Sequence, residues 1–344
     1  MERRLLGGLT PSAFLRRHWQ KRPLFVRGAF SPAEPIVDVA SLLALGARHD
    51  VESRIVERRG RQRETRHGPF PRARPRARDW TILVSGVNLQ SAAADRLLRR
   101  FAFIPQARLD DVMVSYATPG GGVGPHIDSY DVFLLQGPGV RRWTTWFSRG
   151  KQVYLCEPGD LLYLPPGIKH DGVALERCFT YSVGFRAPRG AELGAAFLDW
   201  LHERGLPDSR YGDPGLAPAG APARLPAAMV DFARKTLARI RWSGADVETF
   251  LGEYLTLPKA HVVFRPRRSG RALRDSLVRL DPKTQLLYSA RKFFINGESV
   301  ALRSAALRSL ADRRWAHGSA LAHGALARLV SDWQRAGYVH FEAP

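Results

Sequence analysis

The stretch PGGGVGPHIDSYDVFLLQG, residues 119–137, sets three consecutive glycines ahead of His126 and Asp128 and then runs into an apolar strand. Glycine lets backbone approach more closely than any residue with a side chain, which a plain surface turn does not require. Side chains at i and i+2 of a strand share a face, so His126 and Asp128 can grip one ion together. That spacing is common by chance, and a second stretch gives it weight. In EPGDLLYLPPGIKHDG, residues 157–172, a Gly-Asp turn, an alternating strand and a Pro-Pro-Gly turn deliver His170 at the start of the next segment, where a jelly-roll barrel lays a returning strand beside the first. Two imidazoles and one carboxylate form the facial set that suits non-haem Fe(II) and leaves positions for substrate and dioxygen. Zinc accepts the same three ligands. Beyond them, GVRRW offers Arg141 and Arg142, and strand alternation sends one of the two inward, where a cation would meet an organic acid co-substrate.

Outward from these stretches the pattern is that of a β-sandwich or barrel. WTILVSGVN (80–88), VMVSYATPGGG, YDVFLLQGPG, VRRWTTWF, DLLYLPPG and CFTYSVGF predict short strands between Gly and Pro turns, ending near Phe185. Toward the N-terminus, Thr10 as cap and Pro11 at the first helical position predict a short helix carrying Phe14, Leu15 and Trp19. Residues 54–78, including PRARPRARD, are arginine-rich and broken by Pro71 and Pro75, which predicts an irregular, exposed connection or hairpin. After residue 190 the period changes. AELGAAFLDWLHERG and PAAMVDFARKTLARI read as helices joined by a Pro/Gly-rich connector. From about Pro258, VVFRP, QLLYS and KFFING predict short strands and ALARLVSDWQRAGYVHF a helix leading to a strand, which fits a winged-helix module.

Composition narrows the class. At 344 residues the chain holds two or three units, and no apolar run approaches the roughly 20 residues of a membrane span, so a soluble, cytoplasmic protein is expected. Cys156 and Cys178 lie in strand-like stretches and are expected to be buried thiols rather than a disulfide. The net charge of +21 invites contact with polyanions, but only seven of the 53 basic residues are lysine, and so strong an arginine excess also fits a coding bias. His18, His67, His261 and His340 lack partners at useful spacing.

PGGGVGPHIDSYDVFLLQGPGVRRW, EPGDLLYLPPGIKHDGVALE and YSVGFRAP, with HWQKRPLFVRGAF near the N-terminus and FLGEYLT at 250–256, closely resemble the bacterial ribosomal oxygenases of the JmjC class. The resemblance implies an α+β chain: a cupin-like double-stranded β-helix (jelly-roll) core over 1–190, a helical dimerisation region over 191–256 and a C-terminal winged-helix domain over 257–344. It implies Fe(II), with 2-oxoglutarate and O2 as co-substrates, and hydroxylation at the β-carbon of an arginine in large-subunit (50S) ribosomal protein sixteen. Position by position, His126, Asp128 and His170 match the metal ligands and Arg141 the arginine that pairs with the distal carboxylate of 2-oxoglutarate. Thr180 falls at the co-substrate, where some members have asparagine, and Asp111, Tyr130 and Ser182 fall at the substrate side chain. Around Arg149 two strands are joined almost directly where the family carries a longer insertion. A ribosomal-protein histidyl hydroxylase, a winged-helix regulator with a ligand-sensing cupin, and a zinc or manganese cupin remain as alternatives. Direct nucleic-acid binding is not favoured, because the C-terminal helices carry no dense basic recognition face.

Overall fold

The computed structural model describes residues 2–31, 35–60, 62–148, 150–266 and 272–343. The chain divides into two compact units, one formed by 1–187, 258–284 and 304–344, the other by 188–257 and 285–303.

Twelve strands build the first unit's barrel: β1 (Leu24–Val26), β2 (Ser53–Arg59), β3 (Gln62–His67), β4 (Trp80–Val84), β5 (Leu109–Ala117), β6 (His126–Ile127), β7 (Val132–Gln136), β8 (Arg141–Phe147), β9 (Gly150–Cys156), β10 (Leu161–Leu164), β11 (Lys169–Ala174) and β12 (Cys178–Phe185). They form an eight-stranded sheet in the order β1-β10-β7-β12-β5-β4-β2-β3 and a four-stranded sheet in the order β6-β11-β8-β9. The pairing is antiparallel throughout, with partners distant in sequence, as jelly-roll connections require.

Alternation along the large sheet separates core from cavity. Phe133 and Leu135 of β7, Leu161 and Tyr163 of β10, and Tyr181, Val183 and Phe185 of β12 join Phe14, Trp80 and Phe101 in one apolar cluster. Phe14 sits 5.4 Å from Phe133 and 5.0 Å from Tyr163, ring centre to ring centre, so the first helix is held by aromatic packing. Thr10 caps that helix as expected, its hydroxyl accepting from the Ala13 amide, with Pro11 the first helical residue. The intervening residues Val132 and Leu134 of β7 and Thr180 and Ser182 of β12, with Asp111, Met113 and Ser115 of β5, face the other way.

Three expectations change. Residues 53–60 and 62–67 pair as a regular hairpin, from Arg54↔His67 to Arg59↔Gln62, because Ser53, Ile55 and Glu57 are buried on one face of β2 and Val56 on the cavity face while its arginines stay exposed. Irregularity is confined to the stretch beyond Gly68, which holds Pro71 and Pro75. VVFRP (262–266) forms no strand; LVRL, Leu277–Leu280, takes the strand position instead and pairs with Trp315–His317 and Val339–Glu342. Asp128 lies just past the two-residue strand β6 rather than on it. The short link at Arg149 lies outside the described residues.

In the second unit, helices Gly190–Glu203, Ala227–Leu237 and Gly244–Thr256 occur with a three-stranded sheet of Leu286–Tyr288, Phe293–Ile295 and Glu298–Val300. Gly252 lets the third helix approach that sheet, since a Cβ there would sit 2.4 Å from the Phe294 ring. Helices Ala305–Arg313 and Gly324–Ala336 belong to the first unit, where the second of them leads into the last strand as the sequence predicts. Both cysteines are buried and free. Among the described residues no helix is long and apolar enough to cross a membrane.

Candidate metal centre

β11 pairs with β6 so that His170 stands directly opposite His126. Cross-strand partners bring their side chains close, and the two imidazole rings lie 4.2 Å apart, centre to centre. Asp128 completes the group, with its carboxylate oxygens 3.9 Å from His126 Nε2 and 3.6 Å from His170 Nε2. One ligand atom from each of the three lies within 4.8 Å of the others. Both rings are oriented from behind. His126 Nδ1 bonds the Gly124 carbonyl and His170 Nδ1 the Ile168 carbonyl, each at 2.9 Å, so Nε2 of each ring is left toward Asp128. That arrangement, with Nδ1–H donating to backbone, is how a metal-ligating histidine is held in the right tautomer. Burial lowers the pKa of His170, keeping it the neutral imidazole a cation needs. The glycines earn their places here: a Cβ on Gly122 would meet the Gly172 carbonyl oxygen of β11 at 2.2 Å, and Gly124 turns with φ of +91° just ahead of His126.

A cavity of about 500 Å³ opens from this cluster. Arg141 of β8 enters it, while Arg142 points to solvent, as alternation predicts. Only 4% exposed, Arg141 has a buried Nε without a partner; its Nη2 reaches the Cys178 sulfur at 3.7 Å, and its guanidinium lies 5.7 Å from the Trp143 ring centre. Among the described residues no carboxylate pairs with it. A buried cation without a counter-ion costs several kcal/mol, so its presence marks a place for an anion from outside. Thr180 and Ser182 line the same cavity, Thr180 donating its hydroxyl to Gln136 Oε1 at 3.3 Å.

At the other end of the cavity lie Asp111 and Tyr130, joined by Glu52, Asp110 and Lys259. Asp111 accepts the Gly86 amide at 2.7 Å, and burial, reinforced by the neighbouring charge of Asp110, pushes its carboxyl up to about 6. Lys259 lies 3.3 Å and Arg186 3.5 Å from Asp110, so Asp110 is engaged, while among the described residues the one hydrogen-bond donor to Asp111 is the Gly86 amide. The Tyr130 hydroxyl is pushed up to about 12 by burial and by Asp128 and Asp111, and stays a neutral hydrogen-bond donor. Asp131, one residue on, serves the core: it accepts from Tyr163 at 2.6 Å and from Gln20 at 3.0 Å. All eight site residues expected from sequence therefore line one cavity. Glu52 and Lys259 escape a sequence reading, because nothing in ESRIVERRG or TLPKA marks them and only the chain path brings them to Asp111.

Comparison with known proteins agrees with this geometry. The chain matches a JmjC-domain family model over residues 96–154 and 147–193, and a ROXA-like winged-helix model over 239–340. It is 34% identical over 272 residues to the ribosomal protein uL16 3-hydroxylase of Escherichia coli, covering 74% of this chain and 73% of that one. A probable ribosomal oxygenase of Haemophilus influenzae is 34% identical over 208 residues, 54% of this chain and 52% of that protein. A solved Escherichia coli ribosomal oxygenase in complex with cobalt and 2-oxoglutarate superposes with a TM-score of 0.83 at 30% identity, covering 97% of this chain and 99% of that one.

Proposed function

The chain belongs to the JmjC-domain ribosomal oxygenases, and from that premise we propose that it hydroxylates the β-carbon of an arginine in ribosomal protein uL16, using Fe(II), 2-oxoglutarate and O2. The observation that carries the proposal is one cavity holding both a two-histidine, one-carboxylate cluster and a buried, unpaired guanidinium. The donor set fits Fe(II), and Arg141 fits the distal carboxylate of 2-oxoglutarate as a bidentate fork. A zinc cupin without an anionic co-substrate would leave that buried charge unexplained.

His126, Asp128 and His170 would hold the metal, their ring tautomers set by the Gly124 and Ile168 carbonyls. When bound, the iron with 2-oxoglutarate and O2 supplies an oxidant able to place one oxygen atom in an unactivated C–H bond, the other leaving in succinate as CO2 is released. The protein's own part is positioning. Arg141, with Thr180 beside it, would fix one end of the co-substrate. Ionised Asp111 would receive the substrate guanidinium, a charge-assisted contact that selects arginine over a neutral imidazole. Tyr130 and Ser182 would border its methylene stem and hold the β-carbon in line. We further assign the barrel of 1–190 to catalysis, 191–256 to a homodimer contact and 257–344 to the winged helix, in a protein of the cytoplasm. Leu198, Leu237 and Trp242, at 64%, 66% and 57% exposed, support the dimer assignment.

The test is tandem mass spectrometry of ribosomal proteins incubated with the protein, Fe(II) and 2-oxoglutarate, with His126→Ala as control. One added oxygen on a single arginine, absent with the variant, is the expected result. Oxygen on a histidine instead would move the specificity to a histidyl hydroxylase, and oxygen on no peptide would remove the ribosomal substrate.

A further inference from the structure

Residues 53–79 carry ten arginines against three carboxylates, one third of the net charge of +21 in 27 residues, and roughly three times the arginine density of the whole chain. A coding bias would spread the excess evenly; this segment concentrates it. The fold then puts the excess outside. β3 is the edge strand of the large sheet and all six of its residues are exposed, as are Arg72, Arg74, Arg76 and Arg78 beyond it.

The carboxylates of the segment are already used. Glu57, buried within β2, is shared by Arg59, Arg66 and Arg76 at 3.6, 3.5 and 3.1 Å, and Asp79 holds Arg58 at 2.7 Å. These pairs tie the hairpin to the run that follows it. They leave Arg63, Arg72, Arg74 and Arg78 with no ion-pair partner among the described residues. An exposed strand edge with free N–H groups and several unneutralised guanidinium forks is a surface built for phosphate oxygens.

Its place in the molecule is specific. Arg63 lies over Gly124, where a Cβ would sit 3.1 Å from the Arg63 Cδ, and Gly124 is the residue whose carbonyl orients His126. Arg54 and Thr65 of the same hairpin line the cavity itself. Glu52, Asp110 and Asp111 thus give one part of the cavity an acidic lining, and Arg54 and Arg63 bring the cationic hairpin to it, while Arg76 ties the 72–78 run to Glu57 on the opposite face of β2. A basic ribosomal protein alone would be repelled by that hairpin, whereas one arriving with nucleic acid would be attracted.

We propose that the β2–β3 hairpin and the arginine run of 72–78 form an RNA-docking edge of the large sheet, whose hairpin side borders the active-site cavity. RNA, rather than another polyanion, follows from the ribosomal-protein substrate and so rests on the function proposed above. Phosphate contacts of this kind position a ligand without reading its sequence, and their affinity falls steeply with salt.

The experiment is fluorescence anisotropy of the full chain with a labelled RNA hairpin of about 20 nucleotides, across a salt series centred on about 0.15 M. The comparison is a variant with Arg63, Arg72, Arg74 and Arg78 all changed to Ser. None of the four lines the cavity and all are exposed, so the core is untouched, and an unchanged Tm and cobalt affinity of the variant check that Arg63, which packs on Gly124, has not disturbed His126. We expect the native chain to bind, and the Ser variant to bind at least about tenfold more weakly with a log–log salt slope flatter by about 3. Lysine at the same four positions should restore the slope. Succinate formation from 2-oxoglutarate with saturating free arginine peptide should persist in all three proteins, which separates failure of the docking edge from failure of the proposed activity. Unchanged RNA binding by the Ser variant, no binding at about 0.15 M salt, or equal binding of duplex DNA or polyglutamate would each overturn the proposal.

Discussion

Replacing Arg141 with methionine should make the ligand-free protein more stable while nearly abolishing its grip on 2-oxoglutarate. Arg141 is 4% exposed, lies against Cys178 and Trp143, and has a buried Nε without a partner. In the ligand-free state its buried charge has no carboxylate partner among the described residues, an uncompensated desolvation cost of several kcal/mol. Methionine fills similar volume with a flexible apolar chain, so little packing is lost. A net gain of about 1–2 kcal/mol would raise Tm by several degrees. Binding changes in the opposite direction. Truncating one partner of a buried, hydrogen-bonded charge pair costs about 2–5 kcal/mol, which weakens 2-oxoglutarate by about 30- to 5,000-fold. Scanning fluorimetry with cobalt-loaded protein reads both effects in one titration. At 2-oxoglutarate about 100 times its Kd the native protein gains about 2.7 kcal/mol, and the variant at that concentration gains less than about 1 kcal/mol. A variant with lower Tm and 2-oxoglutarate affinity within about threefold of native would refute the assignment, since it would make Arg141 a structural residue.

Other outcomes follow from the same cavity. Asp111, raised to about 6, loses its charge as pH falls through that value, so kcat/KM for an arginine peptide should decline below pH about 6. Asp111→Asn should remove this acid limb and most turnover while leaving 2-oxoglutarate binding intact; a limb that persists in the variant belongs to another group. The nearby Lys259 charge lowers the Asp111 pKa, so Lys259→Met should shift the limb to higher pH and lower KM at pH 8, whereas an unmoved profile would separate Lys259 from the substrate carboxylates. Gly122→Ala would press a Cβ against the Gly172 carbonyl at 2.2 Å, costing about 1–3 kcal/mol and weakening cobalt binding through the displaced β11. Gly194→Ala, on a helix with open space around its Cβ position, should change neither, and equal behaviour of the two variants in Tm and cobalt affinity would count against a close-packed β11.

The centre was legible in sequence because its residues sit on strands whose alternation and turns are strongly marked. PPGIKHDG and GVRRW specify by period alone that His170 begins a strand and that one of Arg141 and Arg142 turns inward. The β2–β3 hairpin was obscured because SRIVERRG buries three consecutive residues, Ile55 to Glu57, on both faces, and its exposed arginines mask the alternation that usually signals a strand. Along 262–266 the apolar pair Val262–Val263 suggested a strand that LVRL, with two buried positions, fills instead. The acidic end of the cavity was half legible: Asp111 opens the apolar alternation of β5, but Glu52 and Lys259 arrive from separate segments, and no local pattern encodes such a meeting.

Oxygen-isotope transfer tests the central claim most directly. The native protein with Fe(II), 2-oxoglutarate, intact uL16 and 18O2 should place one heavy oxygen on the β-carbon of a single arginine and one in succinate, in equal amounts. Heavy succinate formed at the same rate with uL16 left unlabelled would contradict it, leaving a working metal centre whose substrate is not this protein.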